Sequence, residues 1–112
     1  MELKFSSKAR KLKKAWDQSD FQSLVTEYDK DTAECLADLL NLLSSLNTLH
    51  DVMSFVQYRP HAIENGSVLS LSLIGRKRMR VKTLGDNGKP TKRLNFSSNC
   101  SLILEVSEHY GD

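Results

Sequence analysis

The chain contains few of the residues that mark metal centres, disulfide scaffolds or common nucleophilic sites. Among its 112 residues are two cysteines and three histidines. Cys35 and Cys100 lie far apart and fit no metal or redox motif, and the histidines lack the spacing of metal ligands. No glycine-rich phosphate loop and no nucleophile elbow occurs. We therefore expect a function that uses neither a metal nor a cofactor.

Long hydrophobic runs are also missing. The longest apolar segment, residues 36–46, is interrupted by Asp38, Asn41 and two serines, and residues 1–5 contain no signal-peptide core. We expect no membrane span and no secretion signal. Both cysteines are then expected to be free thiols in the reducing cytoplasm.

Size and charge predict one domain with a segregated surface. A length of 112 residues and an apolar fraction of 39% are enough for a single core, so residues 1–112 are expected to form one domain. The formal charge of +2 is nearly neutral. Basic residues nevertheless crowd residues 8–14 and 76–93, whereas acidic residues crowd residues 27–38 and the end of the chain. This distribution predicts a basic surface set apart from acidic ones.

The periodicity of the apolar residues changes from helical to strand-like near residue 60. A short strand over residues 1–5 precedes a helix that starts at Ser6 or Ser7 and a leucine-rich helix that starts at Asp31. Alternation then predicts strands over residues 61–64, 68–74, 76–82 and 102–106, and Asn65-Gly66 predicts a hairpin turn. Grouped helices followed by grouped strands indicate an α+β fold, with helices on one face of an antiparallel sheet.

The segment from residue 76 to residue 82 predicts a strand with two different faces. Met79 and Val81 share one face with Lys77, and the other face carries cations spaced about 6.6–7 Å apart, twice the rise per residue. These cations are Arg76, Arg78, Arg80 and Lys82. A row of like charges adds little to folding, so one explanation is a polyanion such as a nucleic-acid backbone lying along it. The other explanation is an edge strand that uses charge to prevent aggregation.

Four segments form an ordered pattern that covers nearly the whole chain. They are ELKFSSKARKLKKAW, LADLLNLLSSLNTLHDV, RPHAIENGSVLSLSLIGRKRMRV and LILEVSEHY. In this order they resemble the RelE/ParE superfamily of bacterial toxins, and most of all its HigB-like branch. The resemblance implies a RelE-like domain in which a twisted antiparallel sheet packs on N-terminal helices.

The resemblance also implies a toxin of a type II toxin-antitoxin system. Most HigB-like and RelE-like members cut messenger RNA on the ribosome without a metal, and a protein antitoxin, here expected to be a helix-turn-helix DNA-binding protein, silences them. ParE-like relatives instead inhibit DNA gyrase. By the same resemblance, Arg78 falls on the family's sheet arginine and His61 on its His-x-Leu histidine. Glu108, His109 and Tyr110 fall on the closing acidic-aromatic-histidine motif.

The sequence also departs from the family pattern. The histidine and tyrosine of the closing motif have exchanged places, and Lys77 stands where an aromatic residue is usual. The strand over residues 68–73 offers serines where some relatives have catalytic lysines. These departures favour an alternative, a non-enzymatic binding protein on the same fold that binds RNA, DNA gyrase or a partner chain.

RNA is cut without a metal when its own 2′-hydroxyl attacks the adjacent phosphate. The protein then supplies a base, cations for the phosphate and an acid for the leaving oxygen. Arg78 suits the phosphate, His61 or His109 suits proton transfer, Glu108 suits a base or a partner for a histidine, and Tyr110 suits stacking on a nucleobase, as Tyr58 also does. The remaining cations expected to bind RNA are Arg59, Arg76, Arg80, Lys82, Lys11 and Lys14.

Simpler explanations exist for several of these residues. His61 can be a buried histidine on the same side as Ile63, and His109 can belong to a plain chain terminus. The lysines of residues 8–14 can form a solvated helix face, with Trp16 anchoring that helix to the core.

Overall fold

The first half of the chain is mainly helical. The computed structural model describes residues 1–108, and the predictions for His109 and Tyr110 lie outside them. The helices are α1 (Arg10–Asp17), the single turn α2 (Leu24–Glu27) and α3 (Lys30–Ser45), and 3₁₀ turns occupy Ser7–Ala9, Phe21–Ser23, Leu49–Ser54 and Val56–Tyr58.

Helix α3 contributes many of the buried side chains of the core. It begins at Lys30, one residue before the predicted start, because the side chain of Asp29 caps it by accepting a 2.7 Å hydrogen bond from the Thr32 amide. The leucine stripe then faces inward, and Leu36, Leu39 and Leu43 are fully buried. The predicted amphipathic helix is therefore confirmed.

Five strands form one mixed sheet in the order β1-β5-β4-β3-β2. They are β1 (Glu2–Phe5), β2 (His61–Ile63), β3 (Val68–Ser72), β4 (Lys77–Thr83) and β5 (Cys100–Glu108). Strands β2 to β5 pair antiparallel, as predicted, and β1 pairs parallel with β5. Parallel pairing requires a long crossover, which the helices and the other strands supply. The α+β prediction is confirmed, and the arrangement is consistent with a RelE-like domain.

Residues with left-handed backbone conformation connect the antiparallel strands. Glu64, Asn65 and Gly66 all have positive φ, and they turn the chain from β2 into β3 where Asn65-Gly66 predicts a hairpin. Between β3 and β4, Gly75 has φ +64°, a conformation that glycine adopts without steric cost. Strand β3 ends at Ser72, two residues earlier than predicted, because the Leu73 amide already bonds to the Lys77 carbonyl at 2.8 Å to close this turn.

The core lies between the helices and one face of the sheet. Leu12 of α1 and the leucines of α3 form a single buried cluster with Leu71, Met79 and Val81 of the sheet. Trp16 packs against this cluster and meets Phe21 edge-on, with ring centroids 6.2 Å apart, so the prediction that it anchors the first helix is confirmed. The opposite face of the sheet carries its arginines and several serines, together with the apolar Val68 and Leu102.

Candidate nucleic-acid interface

Strand β4 is the central strand of the sheet, hydrogen-bonded to β3 on one side and to β5 on the other. The explanation that its charges protect an exposed edge is therefore wrong. The predicted alternation is confirmed, because Met79, Val81 and Thr83 are buried whereas the intervening residues are only partly buried. We call the face turned away from the helices the basic face. It carries Arg78, Arg80 and Lys82 with their register partners Ser70, Ser72, Leu102, Glu105 and Ser107, and with His61, which pairs with Ser70.

Arg78 lies between two serines. Its register partners are Ser72 on β3 and Ser107 on β5, and its guanidinium donates a hydrogen bond to the Ser72 hydroxyl. The hydroxyl of Ser107 is buried and has no hydrogen-bond partner among the described residues. Small neighbours of this kind leave the planar guanidinium room to present its donors to a phosphate in the paired geometry that arginine favours.

Arg80 lies between a serine and a carboxylate. Ser70 on β3 is fully buried, and Glu105 on β5 stands directly opposite Arg80. A guanidinium nitrogen of Arg80 (Nη1) is 3.8 Å from Oε1 of Glu105, and the two side chains are 21% and 30% exposed. The distance is that of an ion pair rather than of a hydrogen bond, so the two charges attract each other without locked geometry.

Glu105 reaches this position because β5 contains a bulge. The register shifts between Arg80, which pairs with Glu105, and Val81, which pairs with Ile103, so that Leu104 is an extra residue. Without the bulge, Leu104 would stand opposite Arg80 and Glu105 would point towards the core. The sequence pattern predicts regular alternation along this strand, and that prediction is wrong at Leu104.

The start of the helical region also contributes to the basic face. Nζ of Lys8 is 3.9 Å from Oε2 of Glu105, so this carboxylate lies between two cations. Lys8 itself is 78% exposed. The hydroxyl of Ser6 donates a hydrogen bond to the carbonyl of Leu104, and its amide bonds to the carbonyl of Ile103 at 2.9 Å. The chain after β1 is thereby fastened to the bulge.

His61 lies on the basic face rather than in the core. It pairs with Ser70, which places it in one row with Arg80 and Glu105 across the sheet. Its Nδ1 is 3.0 Å from the carbonyl oxygen of Arg59, and because a carbonyl only accepts, Nδ1 carries the proton in this contact. The alternative of a core histidine is therefore wrong, although Ile63 does share its side of the strand.

The backbone next to His61 is strained. Arg59 has φ 42° and ψ 54°, a left-handed conformation that costs most residues about 1–2 kcal/mol, and a proline follows it. Its side chain is exposed. Strain of this kind is concentrated at functional sites, where surrounding contacts hold it in place. Here it accompanies the carbonyl that orients the His61 ring.

Other predicted site residues lie elsewhere. Lys11 forms an ion pair with Glu27 of α2, and Lys14 faces the same cleft between the two helices, on the helical side of the molecule. Glu108 is the register partner of Lys77, so the strand pleat places it on the opposite face from Arg78. The structure thus brings Arg78, Arg80, Lys82 and His61 to one face but does not bring Lys11, Lys14 and Glu108 there.

Two further predicted residues stand near the ends of elements. Arg76 precedes β4 in the turn after Gly75 and is exposed. Tyr58 packs against the core, and burial raises the pKa of its hydroxyl, with Cys35 and Asp38 of α3 adding to the effect. Tyr58 is therefore on the side of the sheet that α3 covers, where it is unsuited to stack on a nucleobase at the basic face.

Glu105, Ser72, Ser107 and Lys8 belong to the basic face, yet sequence reasoning assigns them no role. The two serines are visible as polar positions in alternating strands, so their pairing with the arginines follows once the strand register is known. The alternation of Glu105 with Val106 places it on the polar side with Ser107, where the structure has it, whereas the bulge puts Ile103 on the core side and Leu102 on the basic face, opposite to that alternation. Lys8 is one of several lysines in the same segment, and nothing in the sequence separates it from the others.

The described residues also lack what a metal site and a membrane-spanning helix require. Within residues 1–108, no group of three or more His, Cys, Asp or Glu side chains is arranged to hold a metal ion. Over the same range, every helix is too short or too polar to cross a membrane. Comparison of the chain with protein-family models, with curated proteins and with solved structures finds no match in any of the three.

Proposed function

We propose that this chain is a toxin of the RelE/ParE superfamily, HigB-like in type, that cuts messenger RNA on the ribosome and is silenced by a protein antitoxin. The observation that carries the proposal is the position of Arg78, Arg80 and Lys82 on the open face of a central strand. Edge protection does not account for cations there, and like charges on one strand face repel. A ribose-phosphate backbone lying along the strand turns that repulsion into attraction.

The chemistry is that of a metal-independent ribonuclease. The 2′-oxygen of the RNA attacks the adjacent phosphorus and gives its proton to a base. The bond from phosphorus to the 5′-oxygen then breaks, and that oxygen takes a proton. The products are a 2′,3′-cyclic phosphate and a free 5′-hydroxyl. Arg78 and Arg80 are the groups suited to bind the phosphate and stabilise its developing charge.

His61 is the described residue best suited to transfer a proton. It lies two strands from Arg80, a separation of about 10 Å at the usual strand spacing. Ser70 stands between them and is small, so Arg80 and His61 belong to one row on the basic face, with Nε2 of His61 buried in it. The hydrogen bond to the Arg59 carbonyl fixes the orientation of the ring.

One observation favours the second candidate, a binding protein that does not cleave. Ser70 and Ser72 occupy the β3 positions of the basic face where some relatives have lysines. Strand β3 therefore provides neither an additional cation nor an amine for proton transfer. The same basic face then serves to bind RNA or a partner protein.

Replacement of Arg78 by alanine tests the proposal. Purified protein is incubated with messenger RNA and translating ribosomes, and the new RNA ends are mapped. The parent chain is expected to give fragments that end in 2′,3′-cyclic phosphate, and Arg78→Ala is expected to lower the cleavage rate by about 100-fold or more, as loss of one transition-state donor does. The matched control is Arg93→Ala, which removes the same charge from an exposed loop residue and is expected to cleave at the parent rate.

Two results would contradict the proposal. Binding of RNA by the parent chain without any new RNA ends would support the second candidate instead. Cleavage by Arg78→Ala at the parent rate would show that the assignment of the phosphate-binding arginine is wrong. A urea unfolding curve for each variant separates loss of activity from loss of folding.

A further inference from the structure

Glu105 is an unexpected residue to find on a face suited to bind phosphate. The other register neighbours of the two arginines, Ser70, Ser72 and Ser107, are small and neutral. Glu105 places a negative charge directly beside Arg80, where it repels any phosphate that approaches. Backbone pairing of β5 with β4 does not require a charged side chain at this position.

The backbone is arranged to place this carboxylate on the basic face. The bulge at Leu104 lets Glu105 stand opposite Arg80 while Ile103 stays opposite Val81 in the core, and two hydrogen bonds from Ser6 hold the bulged segment. Bulges commonly occur beside functional sites, where they redirect a side chain. The bulged backbone therefore holds the carboxylate of Glu105 directly opposite Arg80.

The contacts of Glu105 are those of an exchangeable ion pair. Its two oxygens lie 3.8 Å from Arg80 and 3.9 Å from Lys8, both longer than a hydrogen bond. A phosphate oxygen that replaced the carboxylate would form charge-assisted hydrogen bonds at about 2.7–2.9 Å. The exchange is favourable only when the ligand supplies enough negative charge to displace the carboxylate and to occupy both cations.

We propose that Glu105 is an internal counter-ion that occupies the cationic position of Arg80 and Lys8 until a polynucleotide displaces it. It lowers affinity for every phosphate ligand and selects ligands with several adjacent phosphates over single nucleotides. Glu105 is thus a specificity-determining residue rather than a catalytic one. This inference rests on the proposed function, because it assumes that the basic face binds RNA.

Replacement of Glu105 by glutamine tests the inference. The probe is a fluorescently labelled single-stranded 2′-O-methyl oligonucleotide, which cannot be cut because it has no free 2′-hydroxyl, and binding is measured by fluorescence anisotropy. Glu105→Gln is expected to bind it about two- to fivefold more tightly than the parent, within the range typical of one partly exposed ion pair. Uridine monophosphate, tested as a competitor, is expected to gain more affinity than the oligonucleotide, so selectivity for the longer ligand falls; unchanged selectivity would contradict the selecting role of Glu105.

The matched control is Glu27→Gln. Glu27 pairs with Lys11 on the helical side, so this variant makes the same change in net charge away from the basic face. It is expected to change affinity by less than about twofold, because the carboxylate of Glu27 pairs with Lys11 rather than with Arg80. A second variant, Arg80→Ala combined with Glu105→Gln, is expected to lose the gain, because the carboxylate then has no arginine to compete for.

Each outcome separates this inference from the proposed function. Equal or weaker binding by Glu105→Gln, or equal tightening by Glu27→Gln, overturns the role of Glu105 alone. Tighter binding by Glu105→Gln without ribosomal cleavage by the parent overturns the nuclease and leaves the counter-ion in place. Failure of both the parent and Glu105→Gln to bind the oligonucleotide overturns both.

Discussion

The two faces of strand β4 are built from alternating residues of one seven-residue segment, yet they are used in opposite ways. On the helical side, Met79 and Val81 are completely buried in the core. On the other side, Arg78, Arg80 and Lys82 are only partly buried. Successive side chains of a strand point to opposite sides, so the residues that pack the core and the residues that carry surface charge can vary independently within a short segment.

Lys77 makes the comparison sharper because it is a cation on the helical side of the same strand. Its Nζ is 3.6 Å from Oδ2 of Asp29, the residue that caps α3. The lysine is thereby paired within the fold and links the helical layer to β4. On the basic face, Arg80 likewise has a carboxylate partner, but that partner, Glu105, belongs to the sheet rather than to the helical layer.

The largest expected effect on stability is on the core face. Met79→Ala removes a fully buried side chain and is expected to lower the free energy of unfolding by about 2–5 kcal/mol, the usual cost of the lost contacts and the cavity. Urea unfolding measures the change. Lys82→Ala, three residues along but on the basic face, is expected to change the same quantity by less than about 0.5 kcal/mol. Similar losses for both variants would show that the two faces of β4 contribute equally to folding stability.

A smaller effect is expected on the salt dependence of RNA binding. Lys82→Gln is expected to make the slope of log affinity against log salt concentration less steep by about one, the value for one lost phosphate contact. Lys77→Gln removes the same charge from the same strand and is expected to leave the slope unchanged. If the two variants reduce the slope equally, RNA binding depends on overall charge and not on the basic face.

The smallest expected effect concerns the loss of folding stability at low pH. The hydrogen bond from the Thr32 amide, and to a lesser extent Lys77, lowers the pKa of Asp29. The charged carboxylate therefore stabilises the folded chain above the ordinary pKa of aspartate, and this contribution is lost as pH falls through the lowered value. Asp29→Asn, which keeps a side chain able to cap the helix, is expected to lose less stability than the parent between about pH 7 and about pH 3.

Urea midpoints at the two pH values measure this difference directly. An equal loss in parent and variant would mean that Asp29 does not couple acid to folding. RNA binding by Asp29→Asn at neutral pH is expected to match that of the parent, because Asp29 acts only on the helical side.

Local patterns in the sequence predict most of the fold. The leucine stripe of α3, the turn at Asn65-Gly66 and the alternation of β4 are each determined by neighbouring residues, and all three are confirmed. The parallel pairing of β1 with β5 joins residues nearly one hundred positions apart. Such pairing depends on the assembled sheet and leaves no signal in either strand.

The candidate site is predictable only in part, for the same reason. Arg78, Arg80 and Lys82 follow from alternation along a single strand, whereas their neighbours Ser72 and Ser107 follow only from the register between strands. The bulge at Leu104 depends on how β5 fits both β1 and β4, so the pairing of Glu105 with Arg80 cannot be predicted from local sequence, although the face on which Glu105 lies can be. The sequence therefore identifies the cations of the candidate site but not the carboxylate that is paired with one of them.

The pairing of β1 with β5 has a consequence for synthesis of the protein. Glu2 lies beside Cys100, so the sheet closes only after the ribosome has added the last of the five strands. Until then the growing polypeptide has its arginines on β4 but lacks the neighbouring strand that holds them in place. On the proposed function, a ribosome completes this protein before the protein is able to act on translation, because the unfinished chain has no assembled surface with which to grip a message.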